Sequence, residues 1–364
     1  MKLGLFLMPT VSPEKSLYEA TQTALEMIQY ADELDYAEAW IGEHYTAAWE
    51  PIPSPDIVIA QALQQTKNIK LAAGAHLLPY HHPVELAHRV AYLDHLAQGR
   101  LMLGVAPGAV PTDWDLFGVD GKAGQHREMT AESLEIMFKL WTEENPFEYK
   151  GKYWSAKTPE TMFDGAIRLH IKPFQKPYPP IGVAGSTPNS STLKLAGKYG
   201  FLPMSLGVNA RTAPSHWESV VEGAAESGKT PNRDDWRIVH HVLVADTDEE
   251  ALDLAINGAM GEAWTKWFIP LYTRGKMMHR FKHRDDYPDE DVTAEYLATH
   301  NWFVGSPETV AKQIDKLYDG AGGFGTLLIS GYDYGDNKAI WNKSMRLLKE
   351  EVLPKLKQHN KVGV

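Results

Sequence analysis

Short apolar, β-rich runs alternate with longer stretches of helical period along the whole chain, and no other feature restricts the available folds as much. The runs are KLGLFL at 2–7, AEAWI at 37–41, IKLAAGA at 69–75, LMLGV at 101–105, IGVA at 181–184, LPMSL at 202–206, RIVHHVLVA at 237–245 and GTLLIS at 325–330. Between the early runs, SLYEATQTALEMIQYADEL, SPDIVIAQALQQT, PVELAHRVAYLDHLA and EMTAESLEIMFKLW carry apolar residues at i, i+3 and i+4, several opened by Ser or Pro. STLKLAGKY, PSHWESVVEGAAES, DEEALDLAINGAM and SPETVAKQIDKLYD continue the series, and KAIWNKSMRLLKEEVLPKL follows as a terminal helix. This pattern predicts parallel βα units closed into an α/β, (β/α)8 TIM barrel, with a doubly wound sheet as the alternative.

The 364 residues suffice for one large barrel or two ordinary domains, and no linker divides them, so we read 1–364 as a single barrel domain. Two Pro-, aromatic- or charge-rich segments, near 145–180 and 264–300, break the repeat and are expected as insertions on the barrel rim.

Composition narrows the function. The net charge is −11 and the basic residues form no stripe, which argues against a phosphate-backbone partner such as nucleic acid. The absence of cysteine removes disulfides, thiolate metal sites and Cys nucleophiles. The start, MKLGLFLMPTVSP, is too short in apolar residues for a signal-peptide core, and no run approaches a membrane span; we expect a soluble, cytoplasmic protein.

Two motifs fail on context. GAAESGKT, Gly223 to Thr230, fits the phosphate-loop spelling of an ATPase, but a helix precedes it and Pro231 follows, so Gly228 reads as a helix C-cap. Ser191-x-x-Lys194 fits an acylase spelling without its partner motifs and reads as a helix start. Six of the fifteen histidines, His44, His76, His81, His82, His88 and His95, fall early in the chain, yet none forms H-E-x-x-H, and no metal is expected.

The informative residues are those just beyond the strands, because a barrel gathers these positions on its C-terminal face. Met8, His44, His76, Ala106-Pro107-Gly108 and Gly185-Ser186-Thr187 all fall there. In VAGSTPNSSTLKLAG the small residues allow close backbone approach. Ser186, Thr187, Ser190 and Ser191 offer hydroxyls, and the helix N-terminus that follows favours an anion, with simple N-capping as the alternative. The residues themselves thus describe a barrel that binds a phosphorylated ligand or cofactor near a histidine.

With IGEHYTAAWEPIPSPDI, GAHLLPYHHPVELA, DHLAQGRLMLGVAPG, DLFG, AGSTPNSSTLKLAG and FVGSPETVAKQI in this order, the chain resembles the bacterial luciferase-like flavin monooxygenases. It is most similar to the two-component diketocamphane and limonene monooxygenase type. The resemblance implies a homodimer using reduced FMN delivered by a separate NAD(P)H-dependent flavin reductase. With O2 this would form a C4a-peroxyflavin that oxygenates a small hydrophobic cyclic ketone or terpene, in Baeyer–Villiger fashion for a ketone. A deazaflavin-dependent oxidoreductase and a non-catalytic flavin-binding protein share the scaffold and are the alternatives.

By position the resemblance makes His44 catalytic and puts a non-prolyl cis peptide at Gly74-Ala75, under the flavin ring and next to His76. It lines the flavin with Met8, Ala106 and Gly108, and assigns Ala184, Gly185, Ser186, Thr187, Asn189, Ser190 and Ser191 to the phosphate end. Tyr45, Trp49 and Trp114 are candidate walls of the substrate pocket. Pro107 stands where luciferases have Arg, Tyr45 where a second His is frequent, and the phosphate segment is about two residues longer than usual, departures that fit the ketone-oxygenating branch.

Overall fold

A computed structural model describes residues 1–357; the last seven residues of the expected 1–364 domain lie outside the described residues. The eight predicted runs are the eight barrel strands: β1 (Lys2–Thr10), β2 (Glu38–Ile41), β3 (Lys70–Leu77), β4 (Leu101–Ala106), β5 (Ile181–Gly185), β6 (Leu202–Leu206), β7 (Arg237–His240) and β8 (Thr326–Tyr332). All neighbours pair in parallel, and β1 closes on β8. The helices form where the 3.6-residue period placed them, and their ends follow local chemistry. Ser16 caps Leu17–Glu33 through a reciprocal capping box with Glu19, and Ser190 caps Ser191–Tyr199.

Alternation along the strands fills the barrel in layers. At the N-terminal end the buried Glu38 receives both Arg237 Nε and Nη2, at 3.0 and 3.1 Å, and Trp40 Nε1 at 3.0 Å. Above this ion pair Phe6, Trp40, Ala72, Met102, Met204, Val239 and Leu328 form an apolar plug. The fifth strand contributes Gly182 at this level because the Trp40 ring occupies the space: a Cβ there would stand 2.6 Å from Cη2. Removing so large a buried ring would cost about 3–5 kcal/mol.

Two expectations change in detail. The run RIVHHVLVA is two strands: the chain leaves the barrel after His240, and Val242–Val244 pairs with Phe303–Gly305 in a separate two-stranded sheet. The His240 ring stacks on Phe303 at 3.7 Å, and His241 O accepts from Phe303 N, which fixes the turn-out. The 145–180 segment does not overhang the barrel mouth. Its hairpin, Glu148–Lys150 with Ser155–Lys157, is held along helix Gln125–Thr142 by Glu132, which accepts from the backbone N–H groups of Lys152, Tyr153 and Trp154. The 264–300 segment does lie over the strand ends, where the buried Trp264 packs on His241 and Phe281.

GAAESGKT closes helix Ala213–Glu226, with Gly228 left-handed at φ 66°, as the C-cap reading requires. Gly223 is needed for helix packing, since a Cβ there would meet Lys194 O at 1.8 Å. Ser191 opens its helix, and Lys194 pairs with Glu222 and Glu226, away from any nucleophile role.

Candidate active site

Above the apolar plug the strand ends carry small inward residues, Gly42, Gly74, Ala106 and Ala184, beside Met8 and Leu206. This leaves a broad floor at the barrel mouth. The Gly74–Ala75 peptide is cis, as expected, and the pairing of β3 with β4 gains one residue between Ala73 and His76.

His44 follows β2, its ring between two carboxylates: Nε2 is 3.5 Å from Glu50 Oε2 and Nδ1 is 3.8 Å from Asp113 Oδ2. Thr46 orients Asp113 by donating its N–H to Oδ1 at 2.9 Å. Burial opposes the imidazolium, but Glu50 and Asp113 outweigh it and raise the His44 pKa. Glu50, fully enclosed, is itself raised by burial against the pull of His44. Neither His44 Nδ1 nor Asp113 Oδ2 has a hydrogen-bond partner, so the pair is aligned but not closed.

His76 sits elsewhere. Its Nδ1 lies 3.2 Å from Glu43 Oε2 and its Nε2 2.8 Å from Asp56 Oδ1 in a buried network that also holds His81, Tyr45 and Arg89. Burial is overcome by the two carboxylates, which raise His76 to about 9, while hydrogen bonds from His76 and His81 bring Glu43 down to about 2 against its own burial. Both ring nitrogens face carboxylates, so His76 braces β2 against β3 and helix Pro55–Gln65, and has no nitrogen free for a ring in the mouth.

The same network brings Glu43, His76 and His81 ligand atoms within 4.8 Å, a grouping the sequence spacing did not show. The closest pairs, at 2.7 and 3.2 Å, are hydrogen-bonded, whereas ligands around a tetrahedral ion stand about 3.4 Å apart. Arg89 supplies a cation to the cluster already. The group is an ion-pair network.

The other predicted positions divide. Gly108 is left-handed at φ 79°, and a Cβ there would stand 2.6 Å from Tyr80 Oη, a buried hydroxyl without a partner. Tyr45 packs against Tyr80 and Phe117 with its hydroxyl on Glu43, and so supports the rim. Trp49 lines a rim cleft of about 330 Å³ with Thr10, Asn257 and Gly258. Trp114 packs beneath Gly121 and beside His126.

Beyond β5, Asn189 turns the chain through a left-handed φ of 53° into helix Ser191–Tyr199. Ser190 is buried and committed to capping, accepting from Leu193 N and bonded to Thr192 Oγ1. Ser186 meets Arg280, whose Nη2 donates to Ser186 Oγ at 2.9 Å. Burial lowers the Arg280 pKa from its ordinary value, its Nε has no partner, and no carboxylate pairs with it among the described residues. Arg280, Glu50, Asp113 and Asp56 were not singled out from the sequence. Arg280 lies in the polar run HRFKHRDDYPDED, where nothing local marks it.

A parallel barrel with a shallow small-residue floor, a cationic corner at a helix N-terminus and a histidine between carboxylates has the layout of the luciferase-like class of oxidoreductases. Comparison of the sequence with protein families gives the same answer: the model of the luciferase-like monooxygenase family matches residues 1–323, and the chain belongs to that family. It is 36% identical to 3,6-diketocamphane 1,6-monooxygenase of Pseudomonas putida, over 98% of each chain. It is 30% identical to limonene 1,2-monooxygenase of Rhodococcus erythropolis, over 96% of this chain and 85% of the other. Among solved structures, the oxygenating constituent of 3,6-diketocamphane monooxygenase from Pseudomonas putida, a type II Baeyer–Villiger monooxygenase in complex with FMN, superimposes with a TM-score of 0.92 at 36% identity, covering 98% of each chain.

Proposed function

We propose that this protein is the oxygenase of a two-component, FMN-dependent monooxygenase that inserts oxygen into a small hydrophobic cyclic ketone. The observation that carries the reading is the mouth itself, where polar groups without protein partners surround a floor of small residues. His44 Nδ1, Tyr80 Oη and Arg280 Nε are buried and unpartnered, a costly state for a closed protein and an ordinary one for a ligand site. The likeness to an FMN-bound relative supports the choice of cofactor.

In this reading Gly42, Gly74, Ala106, Gly108 and Ala184 lie against the flat ring. Ser186, Thr187, Asn189, Ser191, the N–H groups of helix Ser191–Tyr199 and Arg280 hold the phosphate. Reduced FMN, when bound, supplies two electrons and two protons, so that one atom of O2 enters the ketone and the other leaves as water. His44, whose pKa Glu50 and Asp113 raise, can hold a proton at the edge of the mouth and donate it to oxygen. The 264–300 segment, with Trp264, Phe268 and Tyr272, excludes water from above.

Reduced FMN would come from a separate NAD(P)H:flavin reductase. Exposed Leu17, Tyr18, Ile57 and Tyr92, on three neighbouring helices, support a homodimer. No helix among the described residues is long and apolar enough to cross a membrane.

The test supplies the full chain with reduced FMN from an unrelated NADH:FMN reductase, 18O2 and a panel of cyclic ketones and terpenes. Lactones carrying one 18O are expected. Absence of FMN affinity, or substrate oxidation without O2 consumption, would overturn the reading.

A further inference from the structure

His241 is the first residue after β7. Its ring packs edge-on against Trp264, in the segment that lies over the strand ends, at 4.9 Å. Its Nδ1 lies 2.6 Å from Tyr332 Oη, at the end of β8, and Trp264 Nε1 donates to the same hydroxyl at 2.8 Å. An indole N–H can only donate, so Tyr332 accepts from Trp264. Tyr332 is almost completely buried and has no third partner among the described residues, so its own hydrogen goes to His241 Nδ1. The proton of the neutral imidazole then sits on Nε2. That atom has no hydrogen-bond partner among the described residues, in a residue that is only half-buried. Burial lowers His241 to about 3, in agreement with a neutral ring.

We propose that His241 is a catalytic hydrogen-bond donor, its Nε2–H aimed by Tyr332 and Trp264 at the carbonyl oxygen of the substrate. The assignment rests on the ketone-oxygenating function proposed above. As oxygen adds to the carbonyl carbon, negative charge gathers on the carbonyl oxygen, and a fixed donor in a water-poor mouth stabilises it without reorganising. His241 keeps its own proton throughout. Tyr332 and Trp264 are positioning residues: they set which nitrogen carries the hydrogen.

The proposal is tested on the full chain in two ways. In histidine-15N-labelled protein, long-range 1H–15N correlation should show His241 protonated at Nε2, and Tyr332→Phe should give a mixture of tautomers; an Nδ1–H tautomer in the wild type overturns the proposal. In turnover with reduced FMN and cyclic ketones, His241→Ala should lower kcat about 100-fold, with the FMN Kd within about threefold of wild type and uncoupled H2O2 raised. His241→Gln, which restores an N–H, should recover at least about tenfold of that loss. Ketone turnover within about threefold of wild type in a folded His241→Ala, or in Tyr332→Phe where the Ala variant does not fold, removes the assignment and leaves the proposed function standing. A wild type that oxygenates no ketone removes both, even where the Nε2–H tautomer is found.

Discussion

Arg280 donates to Ser186 across 94 residues of sequence, joining the segment over the barrel mouth to the loop that follows β5. A half-buried guanidinium with no carboxylate partner is an electrostatic demand that an anion between these two loops would meet. In the function proposed above it would supply positive charge to the phosphate.

Arg280→Ala should therefore weaken FMN binding about 10- to 100-fold, the loss of about 1.5–3 kcal/mol typical of a charge-assisted hydrogen bond. Riboflavin, which lacks the phosphate, should bind both proteins equally. Flavin-fluorescence titration with the two ligands reads the difference. Equal loss for both flavins would mean that Arg280 acts on the fold and not on phosphate.

His44→Asn should leave the FMN Kd nearly unchanged and lower product formation about 10²- to 10⁴-fold, the usual worth of one acid–base group. Asp113→Asn removes a charge that raises His44 and should shift the His44-dependent limb of the pH–rate profile to lower pH. The profile of the two variants against wild type, measured with one ketone, checks both expectations. An unmoved limb in Asp113→Asn would end the electrostatic role given to Asp113.

The buried His76 network should appear in stability against pH. His76 titrates near 9 in the folded protein against about 6.5 unfolded, so its contribution is complete below about 6.5 and is lost as pH rises through 9. Glu43, near 2 when folded, contributes above its ordinary value of 4.5, and this is lost as pH falls towards 2. The two shifts share the His76–Glu43 contact and are not added; the His76 shift, led by Asp56, corresponds by itself to about 3 kcal/mol. His76→Gln should melt lower at pH 6.5, and the gap from wild type should narrow by pH 9.5, as followed by calorimetry. A constant gap would show that packing and not charge accounts for the loss.

The sequence carried the barrel because its signal is local. Alternation over four to eight residues marks a strand wherever it ends up, and all eight apolar runs became barrel strands. The one run read too long, 237–245, was misjudged because Val242–Val244 is as apolar as a barrel strand, and only pairing with Phe303–Gly305 shows that it has left the barrel. Residues beyond strand ends, such as His44, Gly108 and Ser186, were visible for the same reason, since a barrel collects them on one face.

What each of those residues does was decided by contacts far apart in sequence. His44 and His76 read alike as histidines after strands, yet one meets Glu50 and Asp113 at the mouth and the other is enclosed between Glu43 and Asp56. Ser190 and Ser186 read alike as hydroxyls, yet one caps a helix and the other meets Arg280. His241, unmarked inside an apolar run, receives its tautomer from Tyr332, 91 residues away. Strand period fixes which face a side chain takes, because that depends on its own backbone. Its charge and its proton depend on which partners barrel closure brings within a few ångströms, and a strand's own sequence holds no record of them.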